Sequence, residues 1–130
     1  MQKDLLENNV IPKLSFHFSW MVINYCELLD QEKKYTISKQ LFRSATSIVA
    51  CQMEAQKAES KAGFIHKIKL SAKEGDETQY WLLSCDYAEK YPACKHLLLK
   101  LNEIQKVLNK IIGTAKCKTP IRFLLSFFIL

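Results

Sequence analysis

Arg43, Glu74 and Glu77 are the residues whose charges and spacing could form a site. At about 100° per residue, Arg43 lies beside the apolar stripe of one predicted helix, and both glutamates lie beside the stripe of the next. Folding these helices about residue 59 places Arg43 opposite the two carboxylates. Paired carboxylates can move protons in catalysis, but neither a nucleophile nor a metal ligand accompanies them in the sequence. The pattern favours a structural ion pair, half-buried under Trp81, that fixes the register of the two helices.

The histidines and cysteines form no familiar catalytic or metal-binding pattern. A di-iron site in a helical bundle needs Glu-x-x-His on two helices, and none of His17, His66 and His96 has a glutamate three residues earlier. The five cysteines include no Cys-x-x-Cys pair, which favours reduced thiols over a disulfide framework. We expect no catalytic residue, no metal site and no cofactor, and we expect that the protein is not an enzyme.

The positive charge is concentrated in the last third of the chain. The net charge is +6 overall, and residues 90–122 hold eight basic residues against one acid, a net charge of +7. This excess favours a polyanionic partner, with nucleic acid ahead of an acidic protein or a membrane; a solvated lysine face is the alternative. The best candidates for phosphate contacts lie on the fourth predicted helix, with two more on the third: Lys95, Lys106 and Lys110, then Lys69 and Lys73.

Four segments with apolar residues at helical spacing must position these side chains, at about 13–30, 37–57, 61–90 and 93–113. Thr36 or Ser38 is a candidate cap for the second helix and Ser60 for the third, and Gly113 is expected to end the fourth. Short connections between four helices predict an all-α, up-down-up-down antiparallel four-helix bundle. Residues 1–12 are expected to form an N-terminal arm, 13–118 the bundle and 119–130 an apolar C-terminal tail.

The first and fourth predicted helices carry distinct apolar stripes. The stripe of the first helix consists of Leu14, Phe18, Met21, Tyr25, Leu28 and Leu29. The heptad seam of the fourth consists of Leu97, Leu101, Ile104, Leu108 and Ile111. Leu98 and Ile112 widen this seam beyond what one bundle interior needs, which indicates contacts between subunits.

We expect neither a secretory signal nor a membrane span. Residues 1–13 lack the apolar stretch behind a basic start that marks a signal peptide, so we expect a cytoplasmic protein. Residues 119–130 are strongly apolar but too short to cross a bilayer. We expect this tail to pack against protein, either over the bundle or at the centre of an oligomer; a membrane-surface anchor is the alternative.

The segments around Arg43 also carry a resemblance to a known family. The matching residues are 40–48 (QLFRSATSI), 54–55, 58–60, 64–69, 73–74, 77–78 and 80–82. Over about residues 13–116 the chain resembles the four-helix-bundle family encoded in intervening sequences of bacterial 23S rRNA. It departs from the family pattern at Val49-Ala50-Cys51, where the family usually has Gly-Ala-Asn, and at Gly63, which replaces an acid.

The resemblance implies an up-down bundle that assembles as a ring-like homopentamer. The family is similar to the accessory variability determinant of diversity-generating retroelements, a basic pentamer that binds a reverse transcriptase and nucleic acid. The implied partners are therefore further copies of the chain, RNA or RNA/DNA, and a reverse transcriptase.

Together these observations favour a non-enzymatic, oligomeric nucleic-acid-binding accessory protein that contacts phosphates through lysines, as a partner of a reverse transcriptase or of ribosomal RNA. We expect little recognition of base sequence, because few aromatic residues are candidates for stacking on bases. By helical spacing, Tyr80 lies on the outer face and is the most exposed of them. The alternative is a structural or protein-interaction scaffold with no nucleic-acid role. A third hypothesis is an enzyme that uses Glu74 in acid–base chemistry.

Overall fold

The computed structural model describes residues 10–115 and 120–126, and these residues form helices and no strand. The helices are α1 (Val10–Gln31), α2 (Tyr35–Gln56), α3 (Lys61–Tyr87), α4 (Lys95–Ala115) and the short α5 (Ile121–Leu125). The prediction of an all-α chain with four main helices is confirmed for this part of the sequence. The remainder of the predicted arm, the end of the predicted bundle at 116–118, and tail residues 119 and 127–130 lie outside the described residues.

The first helix includes residues that the sequence predicts as part of the arm. It contains Val10 to Pro12, whereas the predicted start was near residue 13. A proline fits the first turn of a helix, because the backbone N–H that it lacks has no acceptor there. Ile11 is 3% exposed and Pro12 is buried, so packing stabilises this turn. The residues 10–12 therefore belong to α1.

The buried face of α1 is displaced from the predicted apolar stripe, because it includes Ser15, Val22 and Cys26, which the prediction left out. Phe18, Val22 and Leu29 are buried, but Leu14 is 39% exposed and Leu28 is 47% exposed. These two leucines lie at the edge of the stripe, where the helix turns away from its neighbours. Trp20, with 51% exposure, lies further round the helix. The outer face of α1 consequently presents large apolar side chains to solvent.

One helix cap is confirmed and the other is wrong. The Ser60 hydroxyl accepts a hydrogen bond from Gly63 N at 3.0 Å, as expected of a residue that caps α3. The second helix begins earlier than predicted, at Tyr35, and its cap position Lys34 makes no side-chain cap bond. The Ser38 hydroxyl instead donates to Cys26 O at 3.2 Å, which joins α2 to α1.

The connection between the third and fourth helices and the end of the fourth also differ from prediction. Helix α3 ends at Tyr87 rather than near residue 90, and α4 begins at Lys95. Gly113 does not end α4, which continues to Ala115. A glycine inside a helix costs about 1 kcal/mol relative to alanine, and the burial of Ile111 and Ala115 against the core offsets it.

The four long helices pack with their chain neighbours, and α1 also packs against α4. Side-chain hydrogen bonds show the antiparallel register of α1 and α2, since Cys26 pairs with Ser38 near one end and Ser15 with Gln52 further along. The predicted seam of α4 is confirmed as part of the core, because all five members are at most 3% exposed: Leu97, Leu101, Ile104, Leu108 and Ile111.

Small polar side chains form a chain of hydrogen bonds through the interior. Gln52 Nε2 on α2 donates to the hydroxyls of Ser15 at 2.8 Å and Ser71 at 3.2 Å, so it joins three helices. Ser71 in turn donates to Ile48 O at 2.8 Å. Two turns along α3, Thr78 Oγ1 lies 2.9 Å from Ser44 Oγ on α2. Because buried polar groups need partners, these bonds define which residues of α2 and α3 face each other.

The contact between α3 and α4 depends on a glycine. Gln105 Nε2 on α4 donates to Ala72 O at 3.1 Å and to Asp76 Oδ1 at 3.0 Å. Its side chain lies over Gly75, where a Cβ would come within 2.4 Å of Gln105 Oε1. The absence of a side chain at residue 75 therefore allows the amide to reach the backbone of α3.

The described part of the tail packs against the bundle. Leu124 is fully buried in the core cluster, and Ile121 and Leu125 pack against that cluster. Phe123 is 52% exposed. Among residues 10–115 and 120–126, no helix is long and apolar enough to cross a membrane.

Candidate nucleic-acid interface

The five lysines predicted to contact phosphates are all exposed on two neighbouring helices. Lys69 and Lys73 lie on α3, and Lys95, Lys106 and Lys110 lie on α4. None of these ammonium groups forms an ion pair with a carboxylate in the described part of the chain. By contrast, Lys100 on α4 lies 3.6 Å from Glu103. The predicted set is therefore available to an external anion.

Four of the five lysines form two matched pairs along the bundle. The hydrogen bonds of Gln105 to Ala72 and Asp76 define the antiparallel register of α3 and α4. By that register Lys106 lies level with Lys73, and Lys110 lies level with Lys69. Four residues of helix separate the two levels by about 6 Å. We call these four residues the lysine ladder.

Lys95 does not belong to the lysine ladder. It precedes Lys106 by eleven residues, which is about 16 Å along a helix. Its neighbour Cys94 donates to Leu82 O at 3.3 Å, which places Lys95 toward the opposite end of α3. The helix register therefore places Lys69, Lys73, Lys106 and Lys110 at two shared levels of α3 and α4, with Lys95 further along the bundle.

The predicted partners Arg43, Glu74 and Glu77 are in contact. Arg43 Nη1 lies 3.4 Å from Glu74 Oε2, and Nη2 hydrogen-bonds to Glu77 Oε2. The hydrogen bond to Glu77 raises the pKa of the Arg43 guanidinium. The side chains of Arg43, Glu74 and Glu77 are 47%, 28% and 37% exposed, so the ion pair is partly buried at the surface.

Trp81, predicted to cover this ion pair, lines a surface groove at the end of the bundle. The other lining residues are Lys33, Lys34, Tyr35, Thr36, Ile37 and Tyr91. We call this cleft the aromatic groove. The sequence contained one signal for it, the run Lys33-Lys34-Tyr35 between two helices. Periodicity within single helices cannot bring that run together with Trp81 and Tyr91, so the groove was missed.

In residues 10–115 and 120–126, no group of three or more histidine, cysteine or acidic side chains could hold a metal ion. Burial raises the pKa of the Cys26 and Cys85 thiols to about 11. It also raises the pKa of Tyr25, whose hydroxyl donates to Pro92 O at 2.8 Å. These groups are uncharged at neutral pH and belong to the core.

Comparison with known proteins identifies the family. The family model of the 23S rRNA-intervening sequence protein matches residues 7–110. The chain belongs to this family. A crystal structure of a protein of unknown function from the S23 ribosomal protein family of Bacteroides thetaiotaomicron is 36% identical, with a TM-score of 0.77. The similarity covers 81% of this chain and 100% of that one. No curated protein matches the chain.

The family match covers the parts of the chain that could form a site. It spans α1 to α3 and most of α4, and so includes the lysine ladder, the Arg43 ion pair and the aromatic groove. It ends at residue 110, before α5. The apolar tail is therefore an addition to the matched region.

Proposed function

We propose that this protein is a non-enzymatic, oligomeric protein that binds RNA or RNA/DNA through the lysine ladder. The observation that carries this proposal is the alignment of four unpaired lysines on neighbouring helices. The similar crystal structure is named as a member of a ribosomal protein family, which supports RNA as the partner. Its role would be that of a cytoplasmic accessory to ribosomal RNA or to a reverse transcriptase.

The mechanism of binding follows from the chemistry of lysine. An ammonium group is a point charge with three donors, and it releases a condensed counterion when it neutralises a phosphate. Such contacts hold the nucleic acid without reading its sequence. The two levels of the ladder, about 6 Å apart, suit phosphates that succeed one another along a backbone. Lys95, at some distance, would add a phosphate contact only for a longer strand.

A salt titration tests the role of the ladder. Log affinity for single-stranded RNA should fall with log salt by about 0.7 for each phosphate neutralised. Replacing Lys69, Lys73, Lys106 and Lys110 by glutamine should therefore weaken binding and reduce the slope by about 3. A matched control replaces four exposed lysines elsewhere, at Lys13, Lys39, Lys57 and Lys90. Equal loss in both variants would show that net charge, and not the ladder, carries the binding.

The exposed side of α1 supports self-association into the proposed homopentameric ring. Leu14, Trp20 and Leu28 are each between 39% and 51% exposed on a single helix. Large apolar side chains that a helix exposes commonly lie in subunit contacts. Light scattering should give five times the monomer mass, and Leu28→Glu should give a smaller particle with unchanged helix content. A wild-type monomer would contradict the ring.

The same apolar surface favours one alternative, a protein-interaction scaffold without a nucleic-acid role. RNA binding that is weak and insensitive to salt would support the scaffold, since lysines would then only maintain solubility.

The non-enzymatic part of the proposal has its own test. If the wild-type protein catalysed a reaction and the Glu74→Gln variant did not, the protein would be an enzyme and this part of the proposal would be wrong.

A further inference from the structure

The aromatic groove lies at the end of the bundle where α1 connects to α2. It has a volume of about 300 Å3 and is formed by residues 33–37 together with Trp81 on α3 and Tyr91 in the connection before α4. This is near the lower limit for a small-molecule site and suits a ligand of the size of one nucleotide. The lysine ladder contributes no residue to it.

The lining combines aromatic rings with positive charge. Three rings and two lysines line the groove, and none of the seven lining residues carries a carboxylate. The neighbouring groove between α1 and α2 shares Tyr35 but is acidic, because Glu27 and Asp30 line it with a single lysine, Lys39. Aromatic rings beside ammonium groups are the combination by which proteins bind single-stranded nucleic acids.

The lysines of the groove lie at constrained positions. Lys33 has φ of 62°, in the left-handed region that favours glycine. Lys34 Nζ lies 5.2 Å from the centroid of the Tyr91 ring, where the ring attracts a cation. The Lys34 ammonium group is therefore held beside an aromatic ring, and the backbone of Lys33 is fixed next to it.

Two aromatic residues remain open to a ligand in different ways. Tyr35 is 60% exposed at the first turn of α2, so its ring is accessible for stacking. The Trp81 Nε1–H is buried and has no acceptor within the described residues. A rotation of the indole toward a ligand oxygen or nitrogen would thus break no hydrogen bond to the protein.

We propose that the aromatic groove binds one unpaired nucleotide of a single-stranded RNA. The base stacks on Tyr35 and its neighbours, and the adjoining phosphate is neutralised by Lys33 and Lys34. This inference rests on the proposed function for the identity of the ligand, and it adds a preference for single strands that the lysine ladder alone does not provide.

Fluorescence of Trp81 tests the proposal directly. The chain has two tryptophans, and Trp20→Phe leaves Trp81 as the only indole. In that full-length protein, a single-stranded oligouridylate should quench the emission, and the same strand annealed to oligoadenylate should not. Tyr35→Ala should weaken binding of the single strand roughly five- to hundredfold, the loss expected for one stacked base. Tyr87→Ala is the control, since Tyr87 is 90% exposed and does not line the groove.

The outcomes separate this inference from the proposed function. Salt-sensitive RNA binding with no quenching of Trp81 and no effect of Tyr35→Ala would overturn the groove and leave the lysine ladder intact. Equal quenching by single strand and duplex would also overturn it. An absence of RNA binding in the wild type would contradict both. Circular dichroism of the Tyr35→Ala protein shows whether a loss of binding comes from unfolding.

Discussion

Arg43 on α2 hydrogen-bonds to Glu77 on α3, 34 residues further along the chain. Glu74 lies 3.4 Å from the same guanidinium, so one arginine bridges two successive turns of the neighbouring helix. Exposed ion pairs contribute about 0.2–1 kcal/mol. Arg43→Ala should therefore lower the melting temperature by about 1–4 °C, measured by circular dichroism. Lys100→Ala, which removes an ion pair within one helix, is the control. If both variants lowered the melting temperature equally, Arg43 would have no special role in fixing the register of α2 and α3.

The buried amide of Gln52 should have a larger influence on stability. Its Nε2 donates to Ser15 and Ser71, so Gln52→Ala removes both bonds and opens a cavity. A loss of roughly 2–4 kcal/mol in the free energy of unfolding is expected. Combining Gln52→Leu with Ser15→Ala and Ser71→Ala should recover most of it, because no polar group is then left without a partner. Urea unfolding measures the free energy of unfolding of both variants. If the triple variant did not regain the lost stability, packing rather than hydrogen bonding would dominate at this position.

Lys33 should show opposite effects on stability and on RNA binding. Its φ of 62° is unfavourable for a lysine by about 1 kcal/mol, so Lys33→Gly should raise the free energy of unfolding by about that amount. The same change removes an ammonium group from the aromatic groove and should weaken RNA binding. Lys33→Ala keeps the strained backbone, so it should weaken binding equally without any gain in stability. Tighter binding by either variant would contradict the role of this lysine.

The buried thiols predict a loss of stability at alkaline pH. Cys26 and Cys85 have pKa values of about 11 in the folded protein against 9.0 ordinarily. Their contribution is complete below pH 9.0 and is lost as the pH rises to about 11, because the unfolded chain releases these protons first. Each thiol should reduce the free energy of unfolding by up to about 1.4 kcal/mol per pH unit in that window. Cys85→Ala should lower stability at neutral pH and make its decline above pH 9.0 shallower; an unchanged slope would contradict the assignment.

The tail should stabilise the bundle through one residue. Leu124 is fully buried and Phe123 is 52% exposed, although both lie on the short α5. Leu124→Ala should reduce the free energy of unfolding by about 2 kcal/mol or more, and Phe123→Ala should change it by less than about 0.5 kcal/mol. Thermal unfolding of the two variants makes the comparison. If both were neutral and the protein bound anionic vesicles, the membrane-anchor alternative would regain support.

The main helices were predictable because apolar residues at a spacing near 3.6 identify a buried face directly. The α4 seam from Leu97 to Ile111 is the clearest case, since all its members are buried. Errors occurred where two forces compete over one residue. Gly113 favours ending a helix, but the burial of Ala115 extends α4 past it. Ser38 has the chemistry of a cap, but its hydroxyl instead bonds to Cys26 on another helix.

The candidate sites differ in how far the sequence could reveal them. The spacing of residues along a helix was enough to predict that Lys106 and Lys110 lie on the outside of α4. Folding the second and third helices back at residue 59 was enough to predict that Arg43 meets Glu74 and Glu77. The aromatic groove required three separate segments to meet at one end of the bundle. Leu14 and Leu28 were misplaced because phase alone does not define how wide a face the neighbouring helices cover.

Gly75 offers a way to alter the geometry of the surface without altering its electrostatics. A methyl group there would meet the amide of Gln105, the far end of a flexible side chain, so Gly75→Ala displaces that amide from Ala72 O and Asp76 Oδ1. The two rows of lysines lie on those helices. Gly75→Ala therefore removes the hydrogen bonds that define how the rows align while every charge stays in place.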